Sequence, residues 1–309
     1  MDFKYLEEIT DFIFHFFKKF YDELLPIKHT GRKRIDAKKI LLTVLFVLGT
    51  GCQWRMVPPC EKFAKGTTAH HNFQLWVEKG IIDKLYSSNS VFYELCNGFQ
   101  TSWQSVDCTK VQAPVRALKI GHEDTGANPT DRGFKGSKIS LLVDKIGMPM
   151  SFVISGANVH DSILLEETLQ EGSLLSLFRI DREYSVMHLC LDKGYDGQSS
   201  EVAGFMYGYK THIRTRMEEI TEKQEGKRPK RWVCERTHVW VKAYRHTRTR
   251  YTKYSSNFRR LVAFALSVIL ARRIKLENSA KDLFRKFEAI NWETYFNWQE
   301  QQRQRRYCF

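Results

Sequence analysis

Two short runs, QSVDC at 104–108 and VMHLCLD at 186–192, decide how this chain folds. Each is a strand-length apolar segment that delivers an acid at or near its end, Asp107 in the first and Asp192 in the second. Further runs of the same kind lie between and after them, at Lys138–Val143, Met150–Ser155 and, more weakly, Lys210–Arg214. Asp144 to Pro149, with Gly147, is a turn of hairpin length, and Asp161 to Leu169 reads as a helix capped by Asp161. The element order from Ser105 is therefore βββαβαβα. A crossover helix that returns the chain parallel to its first strand places strand four beside strand one, and with it Asp192 beside Asp107.

That order is the RNase H-like arrangement, an α/β domain with a mixed five-stranded sheet and flanking helices. Two carboxylates a few ångströms apart repel, and one pKa rises sharply unless divalent cations offset the charge. Mg²⁺ or Mn²⁺, as two ions roughly 3.5 to 4 Å apart, would stabilise the attacking and leaving oxygens of phosphoryl transfer, which takes more than two carboxylates. The third acid is Glu235, in RWVCERTH at 231–238. At about 100° per residue, Arg231, Glu235, His238 and Lys242 share one helical stripe opposite Val233, Trp240 and Tyr244. The polar stripe is expected to face outward. An isolated stripe of this kind is usually a solvated, salt-bridged face, but cations on both sides of one acid also suit a site that holds metal and phosphate.

The chain resembles the DDE transposases of bacterial insertion sequences, in the insertion-sequence-four/five-like branch whose last motif is Tyr-x2-Arg-x3-Glu-x6-Lys. The matching segments are VDCTKVQAP at 106–114, GANPTDRGFKGSK at 126–138, SGANVHDS at 155–162, DKGYDG at 192–197 and RWVCERTH at 231–238. The resemblance assigns Asp107, Asp192 and Glu235 as the catalytic, metal-binding triad, Arg231 as the motif arginine and Lys242 as the motif lysine. Arg228 stands where the motif has tyrosine. Expected DNA contacts are Arg228, Arg231, His238 and Lys242, together with Arg132, Lys135 and Lys138 from the loop before the second strand.

Charge agrees with a polyphosphate partner. The chain of 309 residues carries a formal charge of +14, and Lys210 to Lys275 alone holds 19 Lys or Arg against 5 Glu. A stretch so concentrated binds DNA by releasing condensed counterions. No apolar run approaches the roughly 18 residues that span a bilayer, so the expectation is a cytoplasmic, nucleoid-associated protein without a membrane partner. Seven cysteines without a CxxC pair fit reduced thiols.

Upstream of the strands, residues 1–100 read as a helical, helix-turn-helix-like DNA-binding module. Phe3, Leu6, Ile9, Ile13, Phe16, Phe17, Phe20 and Leu24 recur mostly at three and four. Asp36 caps a second helix that Gly49 and Gly51 stop; a third follows Thr67 or Thr68, and a fourth holds Ile82, Leu85, Phe92 and Leu95. Residues 101–275 form the catalytic domain and 276–309 a C-terminal helical tail.

Other acids and thiols have structural readings. Asp144 opens a turn, Asp196 steadies the loop after Gly194, and His160 is more often structural than a site residue. Cys108, Cys190 and Cys234 lie beside the triad, but neighbouring strand positions face opposite ways, so Cys108 turns from Asp107 and zinc is disfavoured. The resemblance implies metal-dependent cleavage at terminal inverted repeats and strand transfer into target DNA by a homodimer or larger synaptic assembly. A catalytically silent DNA-binding regulator and a nuclease on the same fold are the alternatives.

Overall fold

The computed structural model describes residues 3–26, 33–114, 124–128, 131–175, 186–213, 232–274 and 280–304. Four helices come first: α1 (Phe3–Leu24), α2 (Ala37–Thr50), α3 (Gly66–Glu78) and α4 (Ile81–Asn97). The Asp36 carboxylate accepts the Lys38 N–H at 3.0 Å and so starts α2, as expected. Gly51 alone ends it, with φ of 70° at the C-cap, whereas Gly49 lies within the helix. Helix α3 begins one residue earlier than Thr67 because its first turn lies against Trp54; a Cβ on Gly66 would sit 1.7 Å from the Trp54 carbonyl oxygen.

The sheet follows, with β1 (Trp103–Gln112), β2 (Gly126–Ala127), β3 (Lys135–Val143), β4 (Pro149–Gly156), β5 (Met187–Leu191) and β6 (Tyr209–Ile213). It has six strands where five were expected, the addition being the two-residue β2. β1 lies antiparallel to β3 and parallel to β5, and β5 is parallel to β6. β2 and β4 share the outer edge of β3 in succession. This is the mixed RNase H-like sheet with its first and fourth long strands side by side.

Helices α5 (Asp161–Ser173) and α6 (Gln198–Met206) cover one face, over Val106, Leu142, Leu189 and Leu191. The other face, with Val111, Ile139, Leu141 and Phe152, receives α7 (Trp232–Lys242) and α9 (Ser255–Ala271), which flank the one-turn α8 (Arg245–Arg248). The interior of α9 is almost wholly buried because it packs on the sheet and also on α4 and α1. The N-terminal helices and this sheet face therefore share one hydrophobic core. Helices α10 (Ala280–Glu288) and α11 (Trp292–Gln304) close it, with Phe287 against Phe16 at 5.0 Å and Trp292 against Phe20 at 5.8 Å.

Asp144 behaves as a turn residue. Its carboxylate accepts the N–H groups of Gln100, Ile146 and Met148 at 2.7 to 3.0 Å and ties the β3–β4 turn to the segment entering β1. Gly66→Ala tests how tightly α3 is seated: the added methyl forces the Trp54 turn away, and urea denaturation is expected to show a loss of about 2 kcal/mol.

Candidate active site

Asp107 sits midway along β1, opposite Leu141 of β3. The last parallel pair between β1 and β5 is Ser105 with Cys190, and two residues further on each strand come Asp107 and Asp192. Because side chains alternate along a strand, this step of two keeps both aspartates on the sheet face that receives α7. Asp192, half-buried, follows the end of β5 and accepts the Lys193 N–H at 2.6 Å, starting the short turn Lys193–Tyr195. The first two expected acids thus lie on neighbouring strands, Asp107 in the middle of β1 and Asp192 just past the end of β5.

Glu235 lies in the first turn of α7 and is exposed. The helix buries Val233, Cys234, Thr237, His238 and Val241. Cys234 reaches the Leu141 carbonyl at 3.4 Å, and the His238 Nε2 lies 3.2 Å from the Asp107 carbonyl oxygen and 3.9 Å from its carboxylate. Of the polar stripe, Glu235 faces outward, whereas His238 is buried against the sheet and Lys242 is half-buried. His238 is only 4% exposed, so its placement as an outward DNA contact is corrected: the buried arc of α7 is wide enough to include it. Burial, with Lys242 adding to it, pushes the His238 imidazole down to about 4 and keeps the ring neutral near pH 7. Lys242 is half-buried, and burial and Arg248 lower its pKa while Asp107 opposes the shift, which places the ammonium in the field of that carboxylate.

The loop cations divide. Arg132 and Lys135 are exposed. Lys138 is not a loop residue but an interior position of β3, 3% exposed, where its ammonium is bonded to the Val159 carbonyl at 2.5 Å and to Asp161. An ammonium held this way does not reach a phosphate, and the expectation for Lys138 is corrected. Asp161 likewise spends its carboxylate on Lys138, and the N-cap of α5 is His160, whose ring nitrogen accepts the Ser162 N–H. Arg228 and Arg231 lie outside the described residues.

Sequence reading missed the assembly behind the aspartates. Cys108, on the opposite face from Asp107, lies 3.3 Å from the hydroxyl of Tyr195, which is fully buried in the turn that Asp192 starts. The strand alternation of Lys138 with Ser140 and Leu142, all inward on the α5 face, was the available signal. Among the described residues, no three Asp, Glu, His or Cys side chains lie close enough together to hold a metal ion. The chemistry of the candidate set is nonetheless hard carboxylate oxygen, which suits Mg²⁺ or Mn²⁺, while the thiols do not suit a soft-metal site. Desolvation pushes the Cys108 thiol up to about 12 and Cys234 well above its ordinary value.

Residues 101–270 match the family model described as the transposase DDE domain, and residues 17–86 match one described as "Putative transposase of IS4/5 family". A Burkholderia cepacia protein described as "Putative transposase for insertion sequence element IS402" is 32% identical over 139 residues, 45% of this chain and 64% of the relative. A second protein of the same organism and insertion element, described as uncharacterized, is 27% identical over 94 residues, 30% of this chain and 64% of its own length. The chain thus spans just under two thirds of the length of these curated relatives. The solved structure of a pre-cleavage Mos1 transpososome aligns over 82% of this chain and 83% of that one, at 9% identity and a TM-score of 0.28, too loose a likeness to bear on this site.

With thiolate so disfavoured, iodoacetamide at pH 8 is expected to label exposed Cys60 in the native protein and to spare Cys108 and Cys234 until urea unfolds it. Peptide mass mapping reads the outcome, and native labelling of Cys234 would contradict its packing against Leu141.

Proposed function

This chain belongs to the transposase DDE domain family, and on that premise we propose that it cleaves DNA at transposon terminal inverted repeats and joins the freed ends to target DNA. The observation that supports this reading is the β1–β5 register, whose continuation by two residues beyond Ser105 and Cys190 leads to Asp107 and Asp192, with Glu235 on the neighbouring α7. We assign these three carboxylates to divalent metal ions, Mg²⁺ or Mn²⁺, probed below by chelation. Bound there, such ions supply charge stabilisation to the attacking and leaving oxygens of an in-line displacement.

The chain's own groups then have separable tasks. His238, neutral and buried, holds the Asp107 carbonyl and so fixes the backbone beneath that carboxylate. Lys242, whose ammonium feels the Asp107 charge, is assigned to an incoming scissile phosphate. In the first reaction water adds to phosphorus and the P–O3′ bond breaks, leaving a 5′-phosphate and a 3′-hydroxyl. In the second, that 3′-hydroxyl attacks a target phosphate and expels another 3′-oxygen. Both are substitutions at phosphorus and need no oxidant or covalent enzyme intermediate.

We further assign residues 1–100 and the basic region after Lys210 to reading the element's ends, residues 101–275 to catalysis, and a homodimer or larger assembly to holding two ends together. Helices α10 and α11 brace the N-terminal helices through aromatic contacts. Among the described residues, no helix is long and apolar enough to cross a membrane.

The test is a labelled duplex carrying the element's own ends, incubated with Mg²⁺ or with EDTA. Metal-dependent nicking at the repeat boundary is expected. Since even outer-shell partners of metal ligands contribute about 10- to 100-fold, Asp107→Asn and Glu235→Ala should each lower the rate by at least about a hundredfold. Salt-sensitive binding without cutting would replace the reading with a regulator, and cutting without strand transfer would replace it with a nuclease.

A further inference from the structure

Beyond Asp107, β1 continues for five residues to Gln112. At about 3.3 Å per residue its end lies roughly 17 Å from the aspartate. Gln112 there organises two surface segments. Its side-chain amide donates to Asp131 at 2.9 Å in the turn before β3, and its carbonyl accepts the Arg250 N–H at 2.9 Å just after α8.

The first segment is a closed turn. Asp131 and Gly133 both donate their N–H groups to the Asn128 carbonyl, Phe134 donates to Asp131, and Asn128 donates to Phe134. Arg132 and Gly133 lie at φ of 48° and 75°. For arginine this left-handed conformation is uncommon, and it persists where surrounding bonds fix it. The product is Phe134 held 64% exposed between exposed Arg132 and Lys135.

The second segment is pinned by Arg250, which is 1% exposed. Its guanidinium donates to the carbonyls of Thr252 at 3.3 Å and Lys253 at 3.4 Å, and to the Asp124 carbonyl and the Ser137 hydroxyl at 2.9 and 2.6 Å. This segment presents Tyr251 and Tyr254, 53% and 54% exposed, with exposed Lys253 between them. Thr249 bridges Gln112 on the side of β1 away from β3, so the two segments flank the strand end at a separation of about two strand spacings, roughly 10 Å.

We propose that this end of the sheet binds an unpaired DNA strand beside the cut, with Phe134, Tyr251 and Tyr254 stacking on bases and Arg132, Lys135 and Lys253 on phosphates. The inference rests on the transposase reading for the identity of the nucleic acid. Cations alone would serve a duplex, whose base faces are hidden within its stack. Rings held in water on braced backbone, interleaved with cations, suit bases that are free to lie on them. At 3.4 Å per stacked step, 17 Å corresponds to about five nucleotides from the scissile phosphate.

The test measures fluorescence anisotropy of the full chain in EDTA, with a labelled 20-nucleotide oligo-dT, an abasic strand of equal length, and a 20-base-pair duplex. The wild type is expected to bind oligo-dT at least about a hundredfold more tightly than the abasic strand. Phe134→Ala/Tyr251→Ala/Tyr254→Ala should lose roughly fivefold or more per ring on oligo-dT and fall to the abasic level. Its duplex affinity should stay within about twofold, and an unchanged circular dichroism spectrum separates this from misfolding. Arg132→Ala/Lys135→Ala/Lys253→Ala should weaken both single strands and reduce the slope of log affinity against log salt by about 2. Equal wild-type affinity for oligo-dT and the abasic strand, or an undiminished preference in the ring variant, overturns the proposal. No cleavage is read, so that failure stands apart from failure of the transposase reading, which the nicking assay decides.

Discussion

The parallel pairing of β1 with β5 is the constraint on which the rest depends. It spans only three residue pairs, Trp103 to Ser105 against His188 to Cys190. A slip of one residue would turn Asp192 to the α5 face and leave Asp107 without its neighbour, since successive strand positions face opposite ways. The register is protected by packing on one face and by pairing on the other edge of β1. Leu189 and Leu191 are buried with Val106 under α5 and α6, while β1 is held on its other edge by eight residue pairs with β3. A site built on two neighbouring strands inherits the precision of that packing.

The two faces of β1 then divide the labour. On one, Asp107 meets α7, whose His238 contacts its backbone carbonyl and whose Lys242 feels its charge. On the other, Cys108 and Tyr195 pack behind the turn that begins at Asp192, and the Lys138–Asp161 pair fastens β3 to the start of α5. Breaking one member of such a part-buried pair leaves the other charge poorly solvated, so the arrangement is more a demand on geometry than a source of stability.

Much of the scaffold was legible in the sequence because its signals are local. Alternating apolar strands, the hairpin turn at Asp144, the Asp36 cap and the Gly51 stop each depend on a few adjacent residues. What escaped was set by packing across the chain. Whether the stripe of α7 faces water or the sheet depends on how wide an arc the helix buries, and His238 fell inside it. Lys138 read as a surface cation because its partner, Asp161, is 23 residues away and had been given to helix capping. Arg250 gave no local hint, since its acceptors come from the Asp124 region, β3 and the carbonyls just after it. For the same reason the helical first hundred residues looked separable, although their apolar faces and the sheet share one core.

The contacts of α1 with α10 and α11 also bear on how the protein is made. Phe20 waits for Trp292 and Phe296, about 270 residues later in the chain. At synthesis rates of 5 to 20 residues per second, that interval is roughly 15 to 50 seconds. During it the aromatic face of the first helix has no final cover, so a nascent or prematurely ended chain is a sticky object. Helix α11 is therefore the element whose late synthesis completes the cover of that face.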